Sequence, residues 1–195
     1  MNRRTVLKQL AVMTGGMVLV PSCDFSRNDI LSAYDQLKVT QGEVNILAKL
    51  CETIIPSGEA IKGADDLHIK DFVLVMMNDC YSKDDQMAFT KGLKNFNTFT
   101  RSVSGKSFED MDKDESKELV LKVLNKDIDT SKFENNEEYT MEDINSFVNR
   151  TKQLTVQGFM ASEYIMTGIM PYQLVPGGFS GKVKIKEGEK VNVNG

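Results

Sequence analysis

In this chain a short polar residue is followed, three positions on, by an acid, and then by apolar residues at helical spacing. The pattern is clearest at Thr40-Gln41-Gly42-Glu43, which fits a capping box: the Thr hydroxyl and the Glu carboxylate satisfy orphan amides at a helix start. Val44, Leu47, Ala48, Cys51 and Ile55 then recur every three or four residues, one apolar face of a helix. Pro56-Ser57-Gly58 stops it. Such a face is stable only when buried against others of its kind. The chain is therefore expected to fold as an all-α protein, a single helical domain.

The remaining helices are read in the same way. Asp65 or Asp66 is expected to cap a second, with Ile69, Phe72, Val73, Met76 and Cys80 as its buried stripe. Ser82-Lys83-Asp84-Asp85 opens a third, with Phe89, Leu93, Phe96 and Phe99 inward, ended by Ser104-Gly105. Asp112 to Ile128 gives a fourth, with Leu119, Val120, Val123 and Leu124 apolar. Residues 129–139 read as an acidic, Asn-rich loop. Thr140 starts the longest helix, through Phe147, Leu154 and Phe159 to Ile165. From Met170 the chain turns irregular, because Pro171, Pro176 and Gly177-Gly178 forbid helix. Lys182-Val183-Lys184-Ile185-Lys186 alternates as a short strand or extended tail. The expected architecture is about five helices and an irregular C-terminal arm.

The first 22 residues read as an address. Arg3, Arg4 and Lys8 supply a cationic start, and Leu10 to Val20 is an uncharged run. That run is too short to span ~30 Å of hydrocarbon, and Gly15-Gly16 weakens it as helix. It fits a signal peptide rather than a membrane anchor. Arg3-Arg4 resembles the twin-arginine signal of proteins exported already folded. Val20-Pro21-Ser22-Cys23 resembles a lipobox, in which Cys23 is lipidated and becomes the first residue of the mature chain. The expected organisation is a signal over 1–22, a tether over 23–39 and a helical domain over 40–195. The product is expected to be a periplasmic, membrane-anchored lipoprotein.

Charge narrows the partners. The 195-residue chain carries 24 Lys and Arg against 28 Asp and Glu. Removal of the three basic residues of the signal leaves 21 against 28, a net −7. A mildly acidic chain with no basic stripe visible in its sequence argues against nucleic acid as partner. Cys51 and Cys80 lie on expected apolar faces and are either two buried small hydrophobes or a disulfide between neighbouring helices.

The inventory for chemistry is thin. His68 is the only histidine, so neither a triad nor a histidine-rich metal site can be assembled. Asp110-Met111-Asp112-Lys113-Asp114 mimics a calcium loop, but Glu115 stands where Gly is needed and Leu121 where the bidentate Glu belongs. Those charges are expected to cap and solvate a helix start instead. Gly177-Gly178-Phe179-Ser180-Gly181-Lys182 fails as a phosphate loop, because Pro176 replaces the first Gly and Val183 the final Ser or Thr. Neither GxGxxG nor GxSxG occurs. Asn149-Arg150-Thr151 matches a glycosylation sequon but lies mid-helix. No catalytic, cofactor-binding or metal-ligating residues are assigned, and the isolated chain is expected not to be an enzyme. An exported all-α domain of this kind reads as an interaction subunit.

Two stretches carry a resemblance. Leu47-Ala48-Lys49-Leu50-Cys51-Glu52-Thr53-Ile54-Ile55-Pro56, followed by Gly63-Ala64 and Phe72, is similar to the opening of the gluconate 2-dehydrogenase subunit 3 family. Lys152-Gln153-Leu154-Thr155-Val156-Gln157-Gly158-Phe159, then Ser162-Glu163, Tyr172 and Pro176-Gly177, resembles its closing motif. The resemblance covers roughly residues 40–181. Two departures stand out: Lys182 occupies the place where the family often has a Cys, and the loop after Pro56 lacks the usual Thr and second Pro.

The resemblance implies a non-catalytic small subunit of a membrane-associated dehydrogenase. Its partner would be a large flavoprotein that oxidises a sugar acid, sugar or polyol and holds FAD. A cytochrome c subunit often accepts the electrons. The small subunit aids maturation of the flavoprotein and carries it through the twin-arginine route. The C-terminal arm, with Tyr172, Pro176, Gly177 and Phe179, is the expected partner surface, because its Tyr, Phe and Val residues are held by no helix. The rival expectation is a stand-alone helical envelope lipoprotein that binds a ligand or protein partner.

Overall fold

The computed structural model describes residues 31–129, 138–170, 181–182, 184 and 186–188. Five α-helices make up this part of the chain: α1 (Gln41–Ile54), α2 (Ile69–Val75), α3 (Lys83–Ser104), α4 (Lys113–Leu124) and α5 (Met141–Met160). α2 runs into a π-helical turn at Met76–Cys80, and a second such turn, Tyr164–Ile169, follows α5. Short 3-10 turns sit at Ser32–Tyr34 and Phe108–Asp110. The all-α expectation holds. Among the described residues no helix is long and apolar enough to cross a membrane.

Local chemistry sets most boundaries. Thr40 and Glu43 form the reciprocal cap of α1, with the Thr40 N–H donating to Glu43 Oε2 at 2.7 Å. Asp112 with Glu115 caps α4, and Thr140 with Asp143 caps α5. The calcium-like acids are therefore helix-capping groups, as expected. Ser82 accepts from the Asp85 N–H to start α3. Gly105 ends α3 at φ 77°, a left-handed conformation that glycine adopts without steric cost.

α5 is the hub, packing against α1, α2, α3 and α4. Its most extensive partner is α3. Gly92 permits their close approach, since a Cβ there would stand 2.3 Å from Phe147 Cβ and 3.0 Å from the Asp143 carbonyl oxygen. An aromatic core follows. Phe96 lies 5.0 Å from Phe108, 5.4 Å from Phe147 and 6.0 Å from Phe99, between ring centroids. Phe89 meets Phe147 edge-on at 5.2 Å. All five rings are buried.

Several expectations are corrected. α2 begins at Ile69 and neither Asp65 nor Asp66 caps it. His68 holds the N-cap position at φ 52° without a side-chain cap, and it is exposed. Cys80 is exposed, because the π-helical turn shifts the stripe that Ile69 and Val73 begin. Cys51 is buried and both thiols are free, so the small-hydrophobe reading holds for Cys51 alone and the disulfide is not formed. α4 ends at Leu124 rather than Ile128, after which Lys126 takes φ 57°. α5 ends at Met160 and, at 20 residues against 22 for α3, is not the longest helix. Ahead of α1, Leu37 and Val39 are buried, so packing starts before Thr40. Of the segment expected as a short strand or an extended tail, Lys182, Lys184 and Lys186 lie in no strand, and Val183 and Ile185 lie outside the described residues.

Candidate functional site

The two stretches that carry the resemblance are about a hundred residues apart in sequence and meet at one end of the bundle. The first is the end of α1 with the loop that follows. Pro56 offers no N–H to continue the helix. The Glu52 carboxylate then gathers the loop: it accepts from the Ser57 N–H at 2.6 Å, the Ser57 hydroxyl at 3.2 Å and the Asp65 N–H at 3.0 Å. Asp66 accepts from the Gly63 N–H at 3.0 Å, and the Ala64 N–H donates to the Ile55 carbonyl at 2.9 Å. The Gly63 amide, then the Ser57 side chain, hold the Asp66 carboxyl below its ordinary range. Gly63 is required by contact, because a Cβ would stand 2.2 Å from the Ser57 nitrogen. This is the work Asp66 does in place of capping α2.

The second stretch is the last half of α5 and the turn beyond it. Three contacts join it to the first. The Thr155 hydroxyl donates to Cys51 Sγ at 3.3 Å, with both side chains buried. Gly158 lies against the face of Phe72, where an added Cβ would stand 2.5 Å from the ring. The Lys62 N–H donates to the Tyr164 hydroxyl at 3.4 Å, and the Lys62 ammonium lies 5.4 Å from the centre of that ring. Cys51, Gly63, Phe72, Thr155 and Gly158 are all residues of the resembling motifs. Their contacts explain the motifs as a packing code for this junction.

The junction's chemistry is structural. Burial pushes the Cys51 thiol up to about 12, and the Thr155 hydrogen bond offsets only part of that. At neutral pH the sulfur is a thiol and not a nucleophilic thiolate. Among the described residues no group of His, Cys, Asp and Glu is arranged to hold a metal ion.

The larger clefts are similarly committed. One of about 610 Å³ lies beside Val123, Asn145, Asn149 and Arg150. There Asn145 donates to the Val123 carbonyl at 2.7 Å, while Arg150 pairs with Asp85 at 3.3 Å and stacks over Tyr81. Another, of about 600 Å³, includes Lys49 and Glu52. Lys49 donates to the carbonyls of Glu109 and Met111 and lies 5.6 Å over the Phe108 ring. Burial lowers its pKa, against the raising effect of Asp110 and Glu109. Its ammonium ties α1 to the α3–α4 connection.

What the junction does offer is surface. Ile61 is 49% exposed and Met160 is 41% exposed, large apolar residues next in sequence to Lys62 and four before Tyr164. The Met170 N–H closes the last turn on the Ile165 carbonyl at 2.8 Å. Tyr172, Pro176, Gly177 and Phe179 lie outside the described residues, as do Arg3, Arg4 and Cys23. Sequence reasoning missed Glu52, Ile61, Lys62 and Tyr164. Only Glu52, an acid one turn before a Pro-Ser-Gly loop, carried a local signal.

Comparison with curated proteins and with solved structures finds no match. The family model described as gluconate 2-dehydrogenase subunit 3 matches residues 41–177, from the first residue of α1 to beyond the junction. The chain belongs to the gluconate 2-dehydrogenase subunit 3 family, a subunit family of a dehydrogenase complex.

Proposed function

We propose that this chain is the non-catalytic small subunit of an exported flavin-dependent dehydrogenase complex that oxidises a sugar acid, a sugar or a polyol. It supports maturation of the flavoprotein subunit, which holds FAD, and carries that subunit out of the cytoplasm. A cytochrome c subunit takes the electrons onward. Arg3 and Arg4 select the route for folded cargo, and lipid on Cys23 fixes the product to a membrane. Export as a folded pair has a physical rationale: FAD is loaded before translocation, and one signal serves two chains.

The observation that carries this reading is the junction. The family's two signature stretches are spent on building one end of the bundle, with Cys51 held as a thiol. That end presents Ile61 and Met160 to solvent. Exposed large apolar residues suit a protein partner, and the sequence of the C-terminal arm, with Tyr172 and Phe179, offers more of the same chemistry.

The test is purification of the tagged chain at native expression level. A flavoprotein is expected to co-purify in fixed ratio with FAD in the eluate. A chain recovered alone sinks the reading and favours the stand-alone lipoprotein. Deletion of residues 171–195 is expected to weaken association while helicity by circular dichroism stays unchanged. Undiminished association removes the arm from the interface.

A further inference from the structure

An acidic protein would be expected to show a negative surface everywhere, but one face of α3 departs from this. Lys83, Met87, Lys91 and Lys94 recur at i, i+4, i+8 and i+11, which places them along one side of the helix. The turn at 35–38 adds Lys38 beside them, and together they line a cleft of about 500 Å³. No acid lines it. Of the neighbouring carboxylates, Asp85 pairs with Arg150 at 3.3 Å, Asp35 accepts from the Gln36 amide at 3.1 Å, and Asp84 is exposed beside Lys83 in the first turn of α3. Lys91 shares its charge with Asp143 at 2.8 Å and Lys83 donates to Gln36, while Lys38 and Lys94 make no ion pair among the described residues.

Three further observations say what this face meets. Met87, at its centre, is 64% exposed, more than any other large apolar residue described. Gln86 also lines the cleft at its floor: its side chain is buried, its N–H groups donate to the carbonyls of Asn78 and Tyr81, and its Oε1 has no partner among the described residues. The third observation is position. The Leu31 N–H donates to the Val39 carbonyl at 2.9 Å, so the described chain begins one residue from Lys38. Cys23 is eight residues upstream of Leu31, a span of at most about 29 Å when fully extended.

We propose that this lysine face docks the protein on an anionic lipid surface. The ammonium groups meet headgroup phosphates, and Met87 enters the boundary between headgroups and acyl chains. A single lipid chain holds a protein only marginally, and a basic patch beside it supplies the second attachment. The orientation follows: lipid on Cys23, at most about 29 Å of chain from Leu31, would keep the Lys38 end of this face close to the membrane. The orientation rests on lipid at Cys23, whereas the charge argument does not.

The chain beginning at residue 24 separates the two, since it carries neither signal nor lipid and keeps the entire buried core, Leu37 to Leu154. It is expected to sediment with vesicles containing roughly one-third phosphatidylglycerol and not with pure phosphatidylcholine vesicles, and to be released by about 0.5 M salt. Lys38→Asn/Lys83→Glu/Lys94→Glu is expected to weaken that binding at least tenfold. Asn is chosen at Lys38 because it tolerates the φ of 52° there. Lys113→Glu/Lys117→Glu on α4 is expected to bind like the parent. Lys38→Asn/Lys83→Gln/Lys94→Gln keeps the test readable should charge reversal lower the melting temperature. Equal binding by the substituted face, equal binding to both vesicle types, or displacement by about 10 mM inorganic phosphate at constant ionic strength overturns the proposal. None of these results bears on co-purification with a flavoprotein, and mass spectrometry of the mature N-terminus reads the lipid by itself.

Discussion

The aromatic core between α3 and α5 and the junction between α1 and α5 are built on opposite principles. In the core, Phe89, Phe96, Phe99, Phe108 and Phe147 fill volume, and their contacts are rings at 5.0 to 6.0 Å. In the junction, contact depends on identity: Gly63 because a Cβ would strike the Ser57 backbone, Gly158 because of Phe72, Thr155 because Cys51 needs a small polar neighbour. A core of rings can be repacked with other apolar residues at modest cost. A junction of glycines and specific hydrogen bonds cannot. The family signature therefore lies where the chain closes on itself, and stability lies chiefly elsewhere.

That contrast can be broken by substitution. Phe147→Ala, which empties the centre of the core, is expected to cost about 3–5 kcal/mol in denaturant unfolding. Gly158→Ala is expected to cost about 1–3 kcal/mol, because Phe72 must shift. Adding Phe72→Leu should recover part of that loss, whereas no recovery would mean that the glycine acts through something other than this ring. A cost at Gly158 equal to that at Phe147 would erase the distinction between the two regions.

The start of α5, on the core side of this contrast, gives a pH signature. Burial alone would raise the Asp143 pKa, but Lys91 at 2.8 Å and the hydrogen bonds from Thr140 outweigh it and lower it below 3.8. A depressed carboxyl stabilises the fold above its unfolded pKa, and that stability is lost as pH falls through the lower folded value. Asp143→Asn is expected to cost about 1 kcal/mol at neutral pH and to flatten the loss of stability as pH falls below the ordinary carboxylate range. An unchanged acid limb would show that another carboxylate governs it.

The smallest effect separates the two thiols of the chain beginning at residue 24. Cys80, exposed, is expected to react with a disulfide reagent at neutral pH without change in fold. Cys51, pushed up to about 12 and buried, should react only on unfolding. Fast labelling of both would mean that the junction opens readily.

Much of this fold is legible in the sequence because caps and apolar spacing are local. Thr40, Ser82, Asp112 and Thr140 each announce a helix start that is found. The misreadings share a cause: a non-local partner outbids a local signal. Asp66 could cap α2, but the Gly63 amide claims it. Cys80 fits the stripe of a regular helix, and a π-helical turn inserts the residue that carries it outward. The junction itself was legible only as a resemblance, since Cys51 and Thr155 are 104 residues apart. The lysine face corrects the expectation of a chain without a basic stripe: Lys83, Lys91 and Lys94 share one side of α3, and the net charge of the whole chain does not report so local a grouping.

The central claim is that the junction end is where a flavoprotein sits. The most direct measurement compares the flavoprotein recovered with the tagged wild-type chain and with Ile61→Asp/Met160→Asp, at matched melting temperatures. The account predicts that the substituted chain loses most of its co-purifying flavoprotein while staying folded. Recovery equal to the wild type would contradict it.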